Sequence, residues 1–394
     1  MTVARHSLSF FLIAASTALG IAGTDLVLPA VPMLPKLLGG TAEAAQLVLA
    51  AFTAGAAFGL LLFGELGARF DQRRLLVLSL TAYAAVSALC AMSPSLDVLI
   101  GLRFVQGAAG AAAAVFAPGM LRALYGDSRA VGAIGLLGTI ESLAPALAPI
   151  LGLWLVALLG WRSTFNAIAF LATLLALVIW SLRHRLPRVV ARRGIGGYAR
   201  LLTHTAYLRQ ALSHAFTLGA LLVIVFGAPT VFVTSLGGSM GDFIAMQILG
   251  ITTFAVAANV TSRLVARFGA ERLILVGTSL SALGALAILG YALAGGGDTR
   301  WVTGLFFLLN MGLGLRGPPG FHAAIVAAED DARGAALLVV AILLTTALGT
   351  AAIAPFIVKG LVAIAAGGAL LAVSAVLLLL LVRPSSSEAV KEAA

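Results

Sequence analysis

Apolar runs of about 20 residues follow one another along the whole chain, and a helix of that length crosses the hydrocarbon core of a bilayer. Twelve such runs are predicted as helices, at roughly 9–31, 43–66, 74–92, 96–121, 131–157, 163–182, 209–235, 242–267, 272–294, 300–325, 334–358 and 361–382. The expected fold class is an all-α polytopic membrane protein. Composition excludes a soluble chain: 61% of residues are hydrophobic and 10% are charged, against about a quarter charged in soluble domains. The first run follows Arg5 and His6 and continues past signal-peptide length into Asp25 and Pro29. It lacks a cleavage site and reads as a spanning helix.

An even number of crossings places both termini on one side. With the N-terminus in the cytoplasm, 19 of the 25 Lys and Arg fall on the cytoplasmic side. Lys36, Arg162, Arg300 and Lys359 fall outside, and Arg103 and Arg316 lie within helices. This asymmetry is the positive-inside pattern, and it predicts a cytoplasmic membrane with both termini inside. Arg outnumbers Lys, and Ala and Gly abound, which suggests a bacterial genome rich in G and C. The net charge of +10 does not imply nucleic acid, because the basic residues form short clusters between apolar runs.

The predicted organisation is a six-helix half over 1–182, a basic linker over 183–208, a second half over 209–382, and a cytoplasmic tail over 383–394. The stretch from Arg183 to Arg209 holds seven Arg with Gly194, Gly196 and Gly197. Such a run sets topology and can touch anionic lipid headgroups. The halves carry an echo. Ala68-Arg69-Phe70, with Arg74-Leu75-Leu76 after it, returns 198 residues later as Ala266-Arg267-Phe268 with Arg272-Leu273-Ile274. Parallel repeats of this size mark transporters that bind solute near the midplane. Gly55 and Gly59 on the second helix, and Gly132, Gly135 and Gly138 on the fifth, read as close-packing faces.

Motifs of soluble enzymes occur in the wrong setting. Gly312-x-Gly314-x-x-Gly317 lies inside an apolar run, not between a strand and a helix. Gly237-x-Ser239-x-Gly241 lies in a short external loop. Lys36, Lys359 and Lys391 follow Pro35, Val358 and Val390, so no Walker-type phosphate loop is present. The lone Cys90 lies in an apolar run and reads as an inert thiol. No enzyme, cofactor or metal centre is expected.

Ionisable side chains at membrane depth are costly and are functional candidates. Asp25 sits in Gly23-Thr24-Asp25-Leu26-Val27-Leu28-Pro29. Burial favours the neutral carboxyl and a nearby cation the charged one, so a balanced carboxylate can load and release a proton. A permanent ion pair is the plainer alternative. Arg103 is a natural partner for a buried carboxylate. Glu141 stands four residues before Pro145, on the face where the proline frees a carbonyl. It suits a second proton carrier, a cation-binding group or an ion pair. Arg316 lies between Gly314 and Pro318, and an Arg fork recognises carboxylate or phosphate. It could equally neutralise an acidic residue. His214 and His322 read as ordinary polar neighbours or relay members. The proton-coupling candidates are therefore Asp25, Arg103 and Glu141. The substrate-binding candidates are Asp25, Glu141, Arg316, Asn310 and Gln106.

At these residues the chain resembles the major facilitator superfamily, and more narrowly the twelve-helix drug:proton antiporters of the Bcr/CflA type. Thr24-Asp25-Leu26-Val27-Leu28-Pro29-Ala30-Val31-Pro32 is similar to the helix 1 signature. Leu99-x-x-x-Arg103-x-x-Gln106-Gly107 is similar to the helix 4 motif. Ala144-Pro145-Ala146-Leu147-Ala148-Pro149-Ile150-Leu151-Gly152, with Trp161 after it, is similar to the helix 5 antiporter motif. Ala228-Pro229 and Arg333-Gly334-Ala335 also fit. The resemblance implies two pseudo-symmetric halves, a central cavity and alternating access. It implies a gating loop after helix 2, here Gly64-Glu65-Leu66-Gly67-Ala68-Arg69-Phe70-Asp71-Gln72-Arg73. In that loop the family's Asp is replaced by Ala68 and its Gly by Asp71, which removes the usual latch unless Glu65 or Asp71 substitutes. Leu153 also departs, standing where a second Gly is usual.

The function expected from this reading is proton-coupled export of a small amphiphilic organic compound by a monomer in the membrane. One alternative is transport of an anionic metabolite or metal chelate through Arg316. Another is a membrane sensor that transports nothing.

Overall fold

Hydrocarbon offers no water to an open peptide group, so each crossing segment must close its backbone hydrogen bonds internally. Helix is the local answer throughout, and no strand occurs among the described residues. The computed structural model describes residues 2–189, 198–328 and 331–382. The chain forms two compact units, Met1–Gly194 and Ile195–Ala394. In the first unit the spans are α1 (Thr2–Asp25), α2 (Ala42–Gly67), α3 (Gln72–Ala91), α4 (Leu96–Tyr125), α5 (Asp127–Leu159) and α6 (Arg162–Leu182). In the second they are α7 (Thr205–Thr234), α8 (Met240–Phe268), α9 (Ala270–Leu293), α10 (Thr299–Ala328), α11 (Asp331–Ile353) and α12 (Leu361–Leu381).

Eleven of these helices are long and apolar enough to cross a membrane. The remaining one, α10, is diluted by Asn310, Arg316, Pro318 and Pro319, yet it packs against α7, α8 and α9. Its polar residues are held inside the protein, which is where a spanning helix can keep them. The outward faces are apolar in the opposite sense to a soluble protein: Leu158 is 80% exposed, Leu348 68% and Trp154 62%. Several buried serine and threonine hydroxyls bond the preceding turn, as where Thr53 donates to the Leu49 carbonyl at 2.8 Å, and others cross to a neighbouring helix, as where Ser79 donates to the Ala109 carbonyl.

The sequence echo extends to packing. In the first unit α1 meets α5, α2 meets α4, and α3 meets both α4 and α6. In the second, α7 meets α11, α8 meets α10, and α9 meets both α10 and α12. Shallow apolar grooves recur at matching places. Thr81, Ala84 and Ala88 line one on α3, and Ser279, Ala282 and Leu286, each 198 positions later, line the other on α9.

Two expectations change. The first apolar run is not one helix to residue 31. It stops at Asp25, continues as a tighter turn over Leu28–Met33 and ends in a short helix, Leu34–Leu38. Pro29, Pro32 and Pro35 lack the N–H groups that an α-helix would need there. The second concerns Gly132, Gly135 and Gly138. A methyl group added at any of them would meet nothing within 4 Å, so these glycines are not a packing face. Of the basic linker, Arg183–Arg185 form a single tight turn and Tyr198–Leu201 a short helix. Residues 190–197 and the tail over 383–394 lie outside the described residues.

Candidate functional site

The break after Asp25 reorganises the polar groups of the first unit. The Leu26 N–H bonds the Ala22 carbonyl at 2.9 Å, but the Val27 N–H turns to Thr24 at 3.1 Å. That shift leaves the Gly23 carbonyl without its α-helical donor. Arg103 takes it: its Nη1 donates to Gly23 O at 2.9 Å and to Gln106 Oε1 at 2.7 Å. Its Nε donates to the Val48 carbonyl at 3.3 Å. The guanidinium lies over the Phe52 ring at 4.1 Å and near Phe165 at 5.8 Å. Arg103 is fully buried. Among the described residues it has no carboxylate partner of the kind expected; carbonyl oxygens and ring faces carry its charge instead. Gln106 is buried too, and its Nε2 donates to Ser87 Oγ at 2.7 Å. Cys90 is a buried free thiol 3.8 Å from Gln106 Oε1.

Asp25 is 8% exposed. Among the described residues its carboxyl has no hydrogen-bond or ion-pair partner, so the fixed ion pair weighed from the sequence is not what the structure contains. The backbone around it is held tightly. A methyl at Gly23 would strike the Tyr83 hydroxyl, and one at Gly152 would strike the Leu26 carbonyl. Tyr83 itself donates to the Leu19 carbonyl at 3.4 Å. Gly152 of the helix 5 motif thus seats α5 against the broken end of α1. Pro145 and Pro149 lie within α5. Glu141, one turn earlier, is half-buried with the Thr17 hydroxyl of α1 beside its carboxyl.

In the second unit Arg316 is fully buried on α10. Its Nη1 donates to Thr217 Oγ1 and its Nη2 to Ser213 Oγ, both at 3.2 Å. No carboxylate lies within ion-pair distance of it among the described residues. His214 on α7 is buried, stands edge-on to Phe321 at 6.0 Å, and its Nδ1 has no partner. Asn310 is 4% exposed; its Nδ2 donates to the Phe306 carbonyl at 2.9 Å and packs where a side chain at Gly250 would go. His322 is exposed.

Arg209, which the sequence places at the end of a basic topology run, is 3% exposed. It pairs with Glu271 and donates to the Val382 carbonyl at 2.6 Å and the Leu379 carbonyl at 3.0 Å. It therefore ties the starts of α7 and α9 to the end of α12. The gating loop is bonded within its own unit. Glu65 pairs with Arg69 along the helix surface. Asp71 caps α3 by accepting from the Arg73 N–H at 3.0 Å, and it binds the Arg73 side chain at 2.8 Å. Arg73 also reaches the Arg183 carbonyl at 3.3 Å, and Arg188 stands 3.8 Å from Asp71. Arg73 holds the Asp71 carboxyl below the usual carboxylate range. Gly64 precedes this loop inside α2.

The two enzyme-like motifs resolve into packing and capping. Gly312 and Gly314 let α10 approach α9 and α8, since a methyl at Gly312 would strike the Gly277 carbonyl and one at Gly314 would lie 2.6 Å from the Phe254 carbonyl. Ser239 is the N-cap of α8 in a reciprocal pair with Asp242, whose Oδ2 accepts from the Ser239 N–H at 2.7 Å. The sequence reading missed Ser213, Thr217, Thr17 and the Arg209–Glu271 tie. Gln210, Ser213, His214 and Thr217 recur at helical spacing in an apolar helix, a signal that was available. A pairing across 62 positions was not.

Comparisons with known proteins agree with this architecture. The family model described as Major Facilitator Superfamily matches residues 10–351. The chain is 25% identical to a bicyclomycin resistance protein homolog of Haemophilus influenzae over 73% of this chain and 74% of that protein. It is 27% identical to a chloramphenicol resistance protein of Pseudomonas aeruginosa, over 68% of this chain and 64% of that protein. It is 25% identical to the multidrug resistance protein MdtL of a Shewanella strain, over 74% of this chain and 73% of that one. Among solved structures, the POT family transporter PepTSo superposes with a TM-score of 0.74 at 12% identity, covering 96% of both chains. At that identity the likeness is one of fold. With twelve helices in two repeats and the family model spanning most of its length, this chain is a multi-pass membrane transporter of the Major Facilitator Superfamily.

Proposed function

We propose that this transporter exports a small amphiphilic organic compound in exchange for protons, with Asp25 as the proton carrier. The observation that carries the reading is the state of Asp25: buried, at the break of α1, and with no cation or hydrogen-bond donor to fix its charge. Ionisable groups so placed in membrane helices mark ion pathways. Arg103 then serves as a positioning residue, because it holds the carbonyl two residues before Asp25. Glu141, beside Thr17 on the neighbouring helix, supplies a second carboxylate in the same half. Gln106 in the first unit, and Asn310 and Arg316 in the second, are the further buried polar groups we assign to solute binding. The resistance proteins among the relatives support a drug-like substrate. The excess of Lys and Arg in alternate loops supports a bacterial cytoplasmic membrane with both termini inside, and no partner chain is required.

The test is transport in proteoliposomes with an imposed pH gradient and ethidium as a cationic amphiphilic probe. Wild type accumulates the probe against its gradient. Asp25→Asn loses that uphill transport to background while remaining monodisperse and helical. Unchanged uphill transport in the variant removes Asp25 from the mechanism.

A further inference from the structure

Among the described residues three arginines are buried in spanning helices; Arg209 has a carboxylate partner in Glu271, and Arg103 and Arg316 have none. Arg103 has three oxygen acceptors at 2.7, 2.9 and 3.3 Å and an aromatic face at 4.1 Å. Two of those oxygens are backbone carbonyls, whose dipoles offset the charge without a counter-ion. Arg316 has two neutral hydroxyls, both at 3.2 Å. Among the described residues each of these two arginines leaves one nitrogen without a partner, Nη2 of Arg103 and Nε of Arg316, but only Arg316 lacks any carbonyl acceptor. Those hydroxyls are themselves committed, Ser213 donating to the Gln210 carbonyl at 3.0 Å and Thr217 to the Ser213 carbonyl at 2.7 Å.

Among the described residues this charge has no close carboxylate. Arg209 and Arg316 are both buried in the second half, and Glu271 is the described carboxylate that acts on both. Glu271 is taken by Arg209 and by Gln210 Nε2 at 3.2 Å, and it acts on Arg316 only at longer range. Three further polar atoms of the same cluster are orphaned: Arg209 Nη1, Gln210 Oε1 and His214 Nδ1. Native proteins rarely leave a buried charge and its neighbours in this condition without a ligand or ordered water. Gly320 admits the guanidinium itself: a Cβ there would lie 2.8 Å from Arg316 Nη2 and 3.3 Å from its Cζ and Nε. Glycine at this position costs helix stability and lets the fork lie against the helix backbone.

We propose that the under-satisfied Arg316, with the orphaned His214 of the same cluster, is an anion-binding site within the C-terminal half, and that it takes a compact monovalent anion such as a carboxylate. The guanidinium supplies a planar fork of donors that matches a carboxylate, and its free Nε–H is one of them. The side chain of Glu271, 30% exposed, marks the end of the cluster that meets solvent. The anion comes either from an acidic group on a solute or from free inorganic anion. This site does not depend on the proton role of Asp25.

The test is thermal unfolding of the full chain in detergent, titrated with sodium benzoate or sodium chloride at constant ionic strength held with sodium HEPES. Wild type shows a saturable rise in unfolding midpoint. Arg316→Gln weakens that response about tenfold or more, the loss expected for hydrogen bonds to a charged group. Gly320→Ala weakens it with the arginine still present, while Asp25→Asn and the surface variant Arg69→Gln respond like wild type. A response to benzoate alone identifies an organic carboxylate, and a response to chloride as well identifies free anion; both support the site. Absence of a saturable response in wild type overturns the proposal. So does an equal response in wild type and Arg316→Gln. Should Arg316→Gln not fold, wild-type affinity in Gly320→Ala overturns it.

Discussion

At the scale of single residues, local chemistry decides what each charge can do. Asp71 has become part of the fold of its own half. It caps α3, holds Arg73, and lies near Arg188. Its carboxyl is held below the ordinary value of 3.8, chiefly by the Arg73 side chain. A depressed carboxyl stabilises the fold above its unfolded value and loses that contribution as pH falls through the lower folded value. Asp71→Ala should therefore cost about 1 kcal/mol at neutral pH through the lost cap. The gap between wild type and variant should close as pH drops below about 4. Thermal unfolding in detergent at the two pH values checks this, and an equal gap at both contradicts it. The sequence showed that Asp71 was out of place for the family's loop. It could not show the partners, because Arg183 and Arg188 arrive from the end of α6.

At the scale of helices, glycine spacing alone did not separate packing from open surface. Gly55, Gly59 and Gly107 bring α2 and α4 into backbone contact, since a methyl at Gly55 would strike the Phe104 carbonyl and one at Gly107 the Phe52 carbonyl. Gly132, Gly135 and Gly138 on α5 face open space. Gly55→Ala should thus destabilise the protein by about 1–3 kcal/mol, the usual cost of overpacking. Gly135→Ala should be neutral or stabilising by up to about 1 kcal/mol, because alanine favours helix. Unfolding midpoints of the two variants give the answer, and equal destabilisation would sink the distinction. Helix existence was legible because apolar runs of spanning length have few other homes. The break after Asp25 was written in Pro29, Pro32 and Pro35 but was read through, since the run stays apolar across it. What that break does, freeing the Gly23 carbonyl for Arg103, depends on a contact across 80 positions.

At the scale of the whole chain, the 198-residue echo proved to be structural. The same pairs of helices pack in each half, and matching residues line matching grooves. The halves nevertheless use different chemistry at equivalent places. The start of α3 is tied to the end of α6 by Asp71, Arg73 and the Arg183 carbonyl, whereas the start of α9 is tied to the end of α12 by Glu271, Arg209 and the Val382 carbonyl. The repeat could be read because it fixes loop sequence and helix order. The buried polar networks could not, because they join residues far apart in sequence, as Arg103 to Gly23 and Arg209 to Val382. The N-terminal half holds unpartnered carboxyl at Asp25, and the C-terminal half holds an under-satisfied cation at Arg316. One suits a proton and the other an anion.

The central claim is that Asp25 exchanges its proton for a solute. The most direct test is proton release from purified protein in weakly buffered detergent solution on addition of substrate, using ethidium and a panel of amphiphilic cations, with wild type beside Asp25→Asn. The account predicts release from wild type and none from the variant, with the variant still folded. Solute binding without proton release in both proteins, or equal release from both, would contradict it.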